Sequence, residues 1–292
     1  MKNLKGNGNR MKKIIITGCN GQLGREMNRL YAGNTDIELV NTDVEELDIT
    51  SIDAVMKLAK EVNPYAIINC AAYTAVDACE TNQDLAFKVN TIGPRNLAIA
   101  ARETGAKLLH VSTDYVFDGT KETPYYESDP ICPQSVYGST KAEAEKMVQQ
   151  MADRYFILRT AWLYGDGKNF AKTMLRLAET NDVVKVVGDQ YGTPTSAYEL
   201  AKGIDSLLFT DNYGLFHATC EGSCNWAEFA AEIFRLAGKD TKVQAISTAE
   251  YGAPANRPAH SVLENYMFKM TNGYLFADWH DAIEKYLKEL NA

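Results

Sequence analysis

The sequence predicts an α/β protein: a doubly wound parallel sheet joined to a smaller, discontinuous C-terminal substrate-binding domain. Three observations predict it. From Met11 onward short apolar runs alternate with longer amphipathic stretches, the pattern of parallel strands connected by helices. Gly18, Gly21 and Gly24 sit where the first strand gives way to the first helix, which marks the sheet as Rossmann-type. Beyond Gly165 the regularity weakens, as expected where a second region begins.

The elements follow in order. Residues 12–18 (KKIIITG) read as a strand and 21–32 as a helix; 37–43 (IELVNTD) form the second strand, and 51–62 a helix with Ser51 as N-cap. Residues 65–72 (YAIINCAA) are a buried strand with the continuous apolar run of a two-sided sheet. One long helix is expected over 84–105, closed by Gly105, before the strand at 106–113 (AKLLHVST). A helix opening at "VYGSTKAEAEK" leads to the strand at 154–165. Later come a loop entering a helix (188–208), a strand (214–220), an amphipathic helix (225–238), a Pro-containing loop (256–265) and a C-terminal helix (278–290). The dinucleotide-binding domain is expected over 11–161 plus about 196–220, and the substrate domain over about 162–195 and 221–292. Residues 1–10, rich in Gly, Asn and Lys, read as a disordered extension or an expression remnant.

Composition sets outer limits. The chain has 292 residues, 46% of them hydrophobic and 23% charged, which is ordinary for a globular protein of about two domains. A formal net charge of -8 argues against a nucleic-acid or anionic-membrane partner, so an anionic substrate needs a local cationic site. No apolar run reaches the roughly 18 residues of a membrane span, and the N-terminus lacks a signal-peptide core. A cytoplasmic protein is expected. Six scattered cysteines read as reduced thiols; Cys220 and Cys224 lie close together, but without a second cysteine pair they predict no zinc site. The four histidines show no ligand spacing, and no metal is assigned.

The glycine turn carries the first chemistry. Glycines there permit a tight turn and let the backbone approach a pyrophosphate, while the helix N-terminus favours anions. At the end of the second strand an acid would receive the ribose 2'-hydroxyl of NAD and repel a 2'-phosphate. Asn41 is neutral there and Asp43 lies two residues on, which predicts NADPH with NADH also used. Asp48 and Ile49 in "LDIT" are expected at the adenine.

Tyr137 and Lys141, four residues apart, lie on one helix face. That spacing alone fits an ordinary amphipathic pair. With the glycine turn and "STDYVFDG" at a strand's C-terminal end, the chain resembles the extended short-chain dehydrogenase/reductases. Within them it is similar to the dTDP-4-dehydrorhamnose reductases through "TGCNGQLG", "NCAAYTAVDACE", "STDYVFDG", "VYGSTK", "RTAWLYG", "NFAKTMLRLA", "DQYGTPT" and "RPAHSVL", a resemblance that covers essentially all of residues 12–290.

The resemblance implies NAD(P)H-dependent reduction of the 4-keto group of dTDP-6-deoxy-L-lyxo-4-hexulose, the last step of dTDP-L-rhamnose synthesis for cell-wall polysaccharide. It implies Tyr137 as proton donor, Lys141 as the residue that lowers the phenol's pKa and binds the nicotinamide ribose, and Thr113 as partner of the carbonyl oxygen. Gly18, Asn20, Gly21, Gln22, Leu23, Asn41, Asp48, Ile49, Ala71, Ala72, Thr74 and Asn90 would join Tyr137 and Lys141 at the cofactor. Asn90 has two readings, a proton path to the lysine or a satisfied core amide. Asp114, Tyr115 and Trp162 would line the sugar pocket, with core packing as the other reading of Trp162. Arg257 would pair with the nucleotide diphosphate or else be a surface arginine.

Some relatives bind magnesium through carboxylates at a dimer interface; this sequence has no spacing that demands it. A monomer or homodimer is expected. Two further readings share the fold: a non-catalytic NADP-binding partner like the regulatory subunit of methionine adenosyltransferase, and an epimerase or dehydratase that retains its nicotinamide.

Overall fold

The computed structural model describes residues 11–290, so the expected N-terminal extension at 1–10 lies outside the described residues. The first half runs β1 (Lys12–Thr17), α1 (Gln22–Leu30), β2 (Ile37–Thr42), α2 (Ile52–Val62), β3 (Ala66–Asn69), α3 (Val76–Thr81), α4 (Gln83–Phe87), a π-helical segment (Lys88–Ile92), α5 (Gly93–Thr104), β4 (Lys107–Thr113), a short 3-10 turn (Asp114–Val116), α6 (Val136–Met151) and β5 (Tyr155–Thr160). The second half has β6 (Leu163–Tyr164), α7 (Phe170–Leu177), β7 (Val183–Val187), β8 (Tyr191–Gly192), β9 (Thr195–Ser196), α8 (Ala197–Leu208) and β10 (Gly214–His217). It closes with β11 (Cys224–Asn225), α9 (Trp226–Leu236), β12 (Lys242–Ile246), α10 (Thr248–Tyr251), α11 (Tyr266–Thr271) and α12 (Trp279–Leu290).

The main sheet has six strands in the order β10-β5-β4-β3-β1-β2, all paired in parallel. Both of its faces are covered. α1 and α8 pack on one side with Ile14, Ile16, Met27, Leu200 and Leu207 in the core; α2, α5 and α6 pack on the other around Ile15, Ile67, Leu97, Leu108 and Val148. Strand order reverses between β1 and β3, and ligands of such sheets bind outside the carboxyl ends at that point.

Local chemistry sets the boundaries. Ser51 caps α2 by accepting from Ala54 N–H at 3.4 Å, and Gly105 ends α5 in the left-handed region, as the sequence predicts. The expected single helix over 84–105 is interrupted by a π segment. Pro94 has no N–H to donate, and the Gly93 N–H instead reaches back to the Lys88 carbonyl.

A second core gathers Ala171 and Met174 of α7, Phe229 and Ile233 of α9, and Trp279 and Ile283 of α12. Beside it lies the parallel pair β7 and β12, which sequence periodicity missed because the strands are short and half-exposed. Phe268 and Phe276, far along the chain, pack into the first core rather than this one.

Candidate active site

The glycine turn is a cradle that only glycine can line. Gly18 has φ +66, and a Cβ there would lie 2.8 Å from the backbone of Ala71; one on Gly24 would run into the Gly18 carbonyl oxygen. Gly21 caps α1 with no side chain over the helix end, and no acid occupies the first turn. The bare, positive helix N-terminus beside so close a backbone approach fits a dinucleotide pyrophosphate.

From this turn the cleft extends two ways. One lobe, about 250 Å³, is lined by Gly18, Gly21, Asp43, Asp48, Ile49, Ala71 and Ala72. Of its two acids, Asp43 and Asp48, the Asp43 carboxylate accepts from Asn20 N–H at 3.1 Å and Val44 N–H at 2.8 Å. Asn41, expected at this place, is turned onto α1 and exchanges hydrogen bonds with Asn28 at 3.0 and 2.6 Å. Asn20 likewise contributes its backbone to Asp43 and does not line the lobe.

The other lobe, about 500 Å³, collects Gln22, Leu23, Thr74, Thr113, Asp114, Tyr115, Tyr137, Lys141 and Trp162. Thr113 ends β4, and its hydroxyl donates to Asp114 at 2.9 Å; the other Asp114 oxygen accepts from Ser261 at 2.6 Å. Burial raises the Asp114 carboxyl to about 6 against those hydrogen bonds. Ser135 starts α6 by accepting from Gly138 N–H at 3.1 Å. Gly138 is required there, since a Cβ would collide with the Tyr115 carbonyl. Tyr137 in the first turn then meets Tyr115 edge to face, ring centroids 5.5 Å apart.

The expected effect of Lys141 on Tyr137 is not made. The phenol lies above its ordinary range through burial first and the Asp114 carboxylate second, with the Thr113 hydroxyl acting the other way. Lys141 is buried, and Nζ turns inward to donate to the Val111 carbonyl at 2.5 Å, with His110 Nε2 at 3.4 Å. Helical spacing aligns the two Cβ atoms, but the long lysine stem carries its nitrogen under the sheet. Burial brings the ammonium down to about 8, against the pull of Glu145.

Two other expected residues are spent elsewhere. Asn90 is fully buried; it accepts from Tyr73 N–H at 2.7 Å and donates to the Tyr73 carbonyl and to Thr140. Of its two readings, these contacts are those of the core amide. Arg257 lies outside the lobe and grips Asp77 of α3 with both guanidinium ends, at 3.0 and 2.9 Å. An acid supplied by a distant helix carries no periodic signal, so this pairing was not legible in advance. Trp162 does line the cleft, and Trp226, which the sequence did not single out, stacks on it.

Among the described residues no cluster of three or more His, Cys, Asp or Glu side chains comes together to hold a metal ion. No helix of the described residues is long and apolar enough to cross a membrane.

The profile of the family described as "RmlD substrate binding domain" matches residues 11–292. A dTDP-4-dehydrorhamnose reductase of Aggregatibacter actinomycetemcomitans is 40% identical over 287 residues, 94% of this chain and 98% of that protein. The crystal structure of a dTDP-4-dehydrorhamnose reductase from Clostridium acetobutylicum superposes with a TM-score of 0.94 at 51% identity, covering 96% of this chain and 100% of the other. One from Bacillus anthracis, solved in complex with NADP, superposes at 0.93 with 40% identity over 95% and 99% of the two chains. Ordered motifs, sheet and cleft agree with these matches, and the chain belongs to the RmlD substrate binding domain family.

Proposed function

We propose that this protein is an NADPH-dependent oxidoreductase that reduces the 4-keto group of dTDP-6-deoxy-L-lyxo-4-hexulose to give dTDP-L-rhamnose, with NADH also used. Its relatives are dTDP-4-dehydrorhamnose reductases, and one of them was solved with NADP. The observation that carries the reading is the meeting of Thr113, Tyr137 and Lys141 in one cleft continuous with the glycine cradle.

Gly18, Gly21 and the α1 N-terminus hold the pyrophosphate of the cofactor, with Asp48, Ile49 and Ala71 around the adenosine. Reduced nicotinamide, when bound, supplies the hydride. Tyr137, kept protonated by burial, gives its proton to the carbonyl oxygen as that oxygen becomes an alkoxide. Thr113 donates to the same oxygen in place of its bond to Asp114. Lys141, whose nitrogen here turns to the Val111 carbonyl rather than to the phenol, would hold the nicotinamide ribose, and solvent reprotonates the tyrosinate left behind. Trp162 and Tyr115 offer apolar faces to the deoxy sugar ring.

In this reading residues 11–161 with about 196–220 carry the cofactor and about 162–195 with 221–292 shape the sugar side, although Phe268 and Phe276 of the latter pack into the first core. The protein acts in the cytoplasm as a monomer or homodimer, a reading in keeping with a sugar-nucleotide substrate. The test is nicotinamide oxidation with dTDP-6-deoxy-L-lyxo-4-hexulose, NADPH and NADH assayed separately. Oxidation that Tyr137→Phe abolishes supports the reading; none with either cofactor, in protein that binds NADPH, overturns it.

A further inference from the structure

Beneath the catalytic lobe a chain of buried polar groups runs from β1 to Lys141. Thr17, Asn69, His110 and Lys141 are each at most 2% exposed. Asn69 Oδ1 accepts from Thr17 Oγ1 at 2.7 Å and from the Ala71 backbone N–H at 3.1 Å. A backbone N–H can only donate, so that atom must be the oxygen, and Nδ2 must donate to His110 Nδ1, 3.0 Å away. A neutral imidazole that accepts at Nδ1 carries its hydrogen at Nε2. That hydrogen faces Lys141 Nζ at 3.4 Å. An amine lone pair can receive it; an ammonium, with donors only, cannot.

We propose that Asn69 and His110 form a one-way hydrogen-bond chain, its direction set by the Ala71 N–H, in which His110 is a positioning residue that presents Nε2–H to Lys141 and governs the protonation state Lys141 brings to the site. The proposal rests on the catalytic reading only for its kinetic consequence.

The surroundings leave few competitors. Glu145, one turn along α6, is shared by Arg159 of β5 at 2.9 and 2.7 Å and by Ser112 of β4 at 2.5 Å. Tyr137 lies one turn back, under the influence of Asp114 and of Cys79 on α3. The π segment brings only the uncharged Asn90 and Thr91 to this side of α6, both bonded to Thr140. β1 and β3 contribute the uncharged Thr17 and Asn69. His110 itself is held neutral chiefly by burial, in keeping with a directional tautomer.

The test is ¹⁵N NMR of histidine-labelled protein, with His110 assigned by its loss in His110→Phe, alongside ¹³C titration of labelled lysine with Lys141 assigned by Lys141→Arg. Neither measurement needs turnover. The expected result is a neutral Nε2–H tautomer at pH 7. In His110→Phe the Lys141 midpoint should rise by about one pH unit or more as the opposing hydrogen is removed. Asn69→Asp, which replaces the donor with an acceptor, should reverse His110 to Nδ1–H and also raise the lysine midpoint. Thr17→Val leaves the Ala71 N–H in place and should leave the tautomer unchanged.

If the reductase assay is positive, the pH limb of kcat assigned to Lys141 should move with that midpoint while KM for NADPH stays near the parent value. An Nδ1–H tautomer or an imidazolium in the parent protein overturns the inference, as does an unchanged Lys141 midpoint in folded His110→Phe. Should that variant not fold, the parent tautomer and its reversal in Asn69→Asp decide. Absent turnover with the predicted tautomer would overturn the catalytic reading and leave the hydrogen-bond chain standing.

Discussion

Trp162 and Trp226 stack with ring centroids 3.6 Å apart and planes inclined by 10°, joining the end of β5 to the start of α9 at the catalytic lobe. Trp162 takes a left-handed backbone conformation, φ 48, and a Cβ on Gly192 would lie only 2.6 Å from its ring. So constrained a residue holds its ring by contact with its neighbours. Trp226→Ala should therefore raise KM for the sugar nucleotide by about tenfold with a smaller change in kcat, while Trp226→Phe keeps most of the affinity. Steady-state kinetics at saturating NADPH measure both.

Replacing Tyr137, the proposed proton donor, separates chemistry from binding. Tyr137→Phe should lower kcat by about 10²–10⁴-fold, since general acid catalysis supplies gains of that order. NADPH affinity, read by fluorescence titration, should stay close to the parent value because the phenol acts on the carbonyl oxygen. Equal loss of affinity would assign Tyr137 to cofactor binding.

Gly24→Ala places a methyl group against the Gly18 carbonyl and the Cys19 backbone, atoms that cannot move independently. NADPH binding should be lost and the melting temperature lowered. Gly33, φ +77, has nothing within 4 Å of the point where a Cβ would sit, so Gly33→Ala should cost only about 1–2 kcal/mol of backbone strain and leave NADPH binding intact. Differential scanning calorimetry with and without NADPH distinguishes the two.

Asp43, with Asp48, is one of two carboxylates lining the lobe proposed for the adenosine, and a carboxylate beside the ribose would repel a 2'-phosphate while suiting a 2'-hydroxyl. Asp43→Asn should shift kcat/KM severalfold towards NADPH over NADH. An unchanged ratio would show that this carboxylate, bonded to two backbone N–H groups, has no influence on the choice.

His217 is fully buried, its Nδ1 against the Glu264 carbonyl at 3.1 Å and its Nε2 3.5 Å from Arg159. Burial, helped by the Arg159 charge, lowers its pKa from 6.5 to about 3. Between those values the unfolded chain binds the proton and the folded one does not. Its contribution to stability is complete above pH 6.5 and falls as the pH drops towards 3. Urea midpoints from pH 7 to 4 should decline less steeply in His217→Gln than in the parent protein.

Much of this architecture was legible because it rests on local pattern. Uninterrupted runs such as Ile14–Ile16 marked strands buried on both faces, and Ser51 and Gly105 marked helix ends through their own side-chain and backbone chemistry. That Thr113, Tyr137 and Lys141 would line one lobe was legible as well, since each sits at a strand end or in a helix turn whose position follows from that pattern. What escaped depends on contacts between distant segments. Nothing near Arg257 announces that Asp77 will receive it, and nothing in "NW" announces that Trp226 will face Trp162. The inward turn of Lys141 escaped for another reason: helix spacing fixes where a Cβ points, while the reach of a four-carbon stem is set by whichever acceptor lies under the sheet.

One edge strand of the main sheet, β10, arrives only after the chain has built β6 to β9 and α7 outside that sheet. A ribosome releasing this protein thus leaves the edge of β5 open until residue 217 has emerged, and hydrogen-bonding groups along Phe156–Arg159 wait for partners in Gly214–His217. That exposed edge is the place where a stalled or truncated nascent chain would pair with a neighbour and aggregate. Because β10 returns to the main sheet after the chain has left it, exchanging the segments outside that sheet between relatives requires matched junctions on both sides of β10 rather than a single crossover.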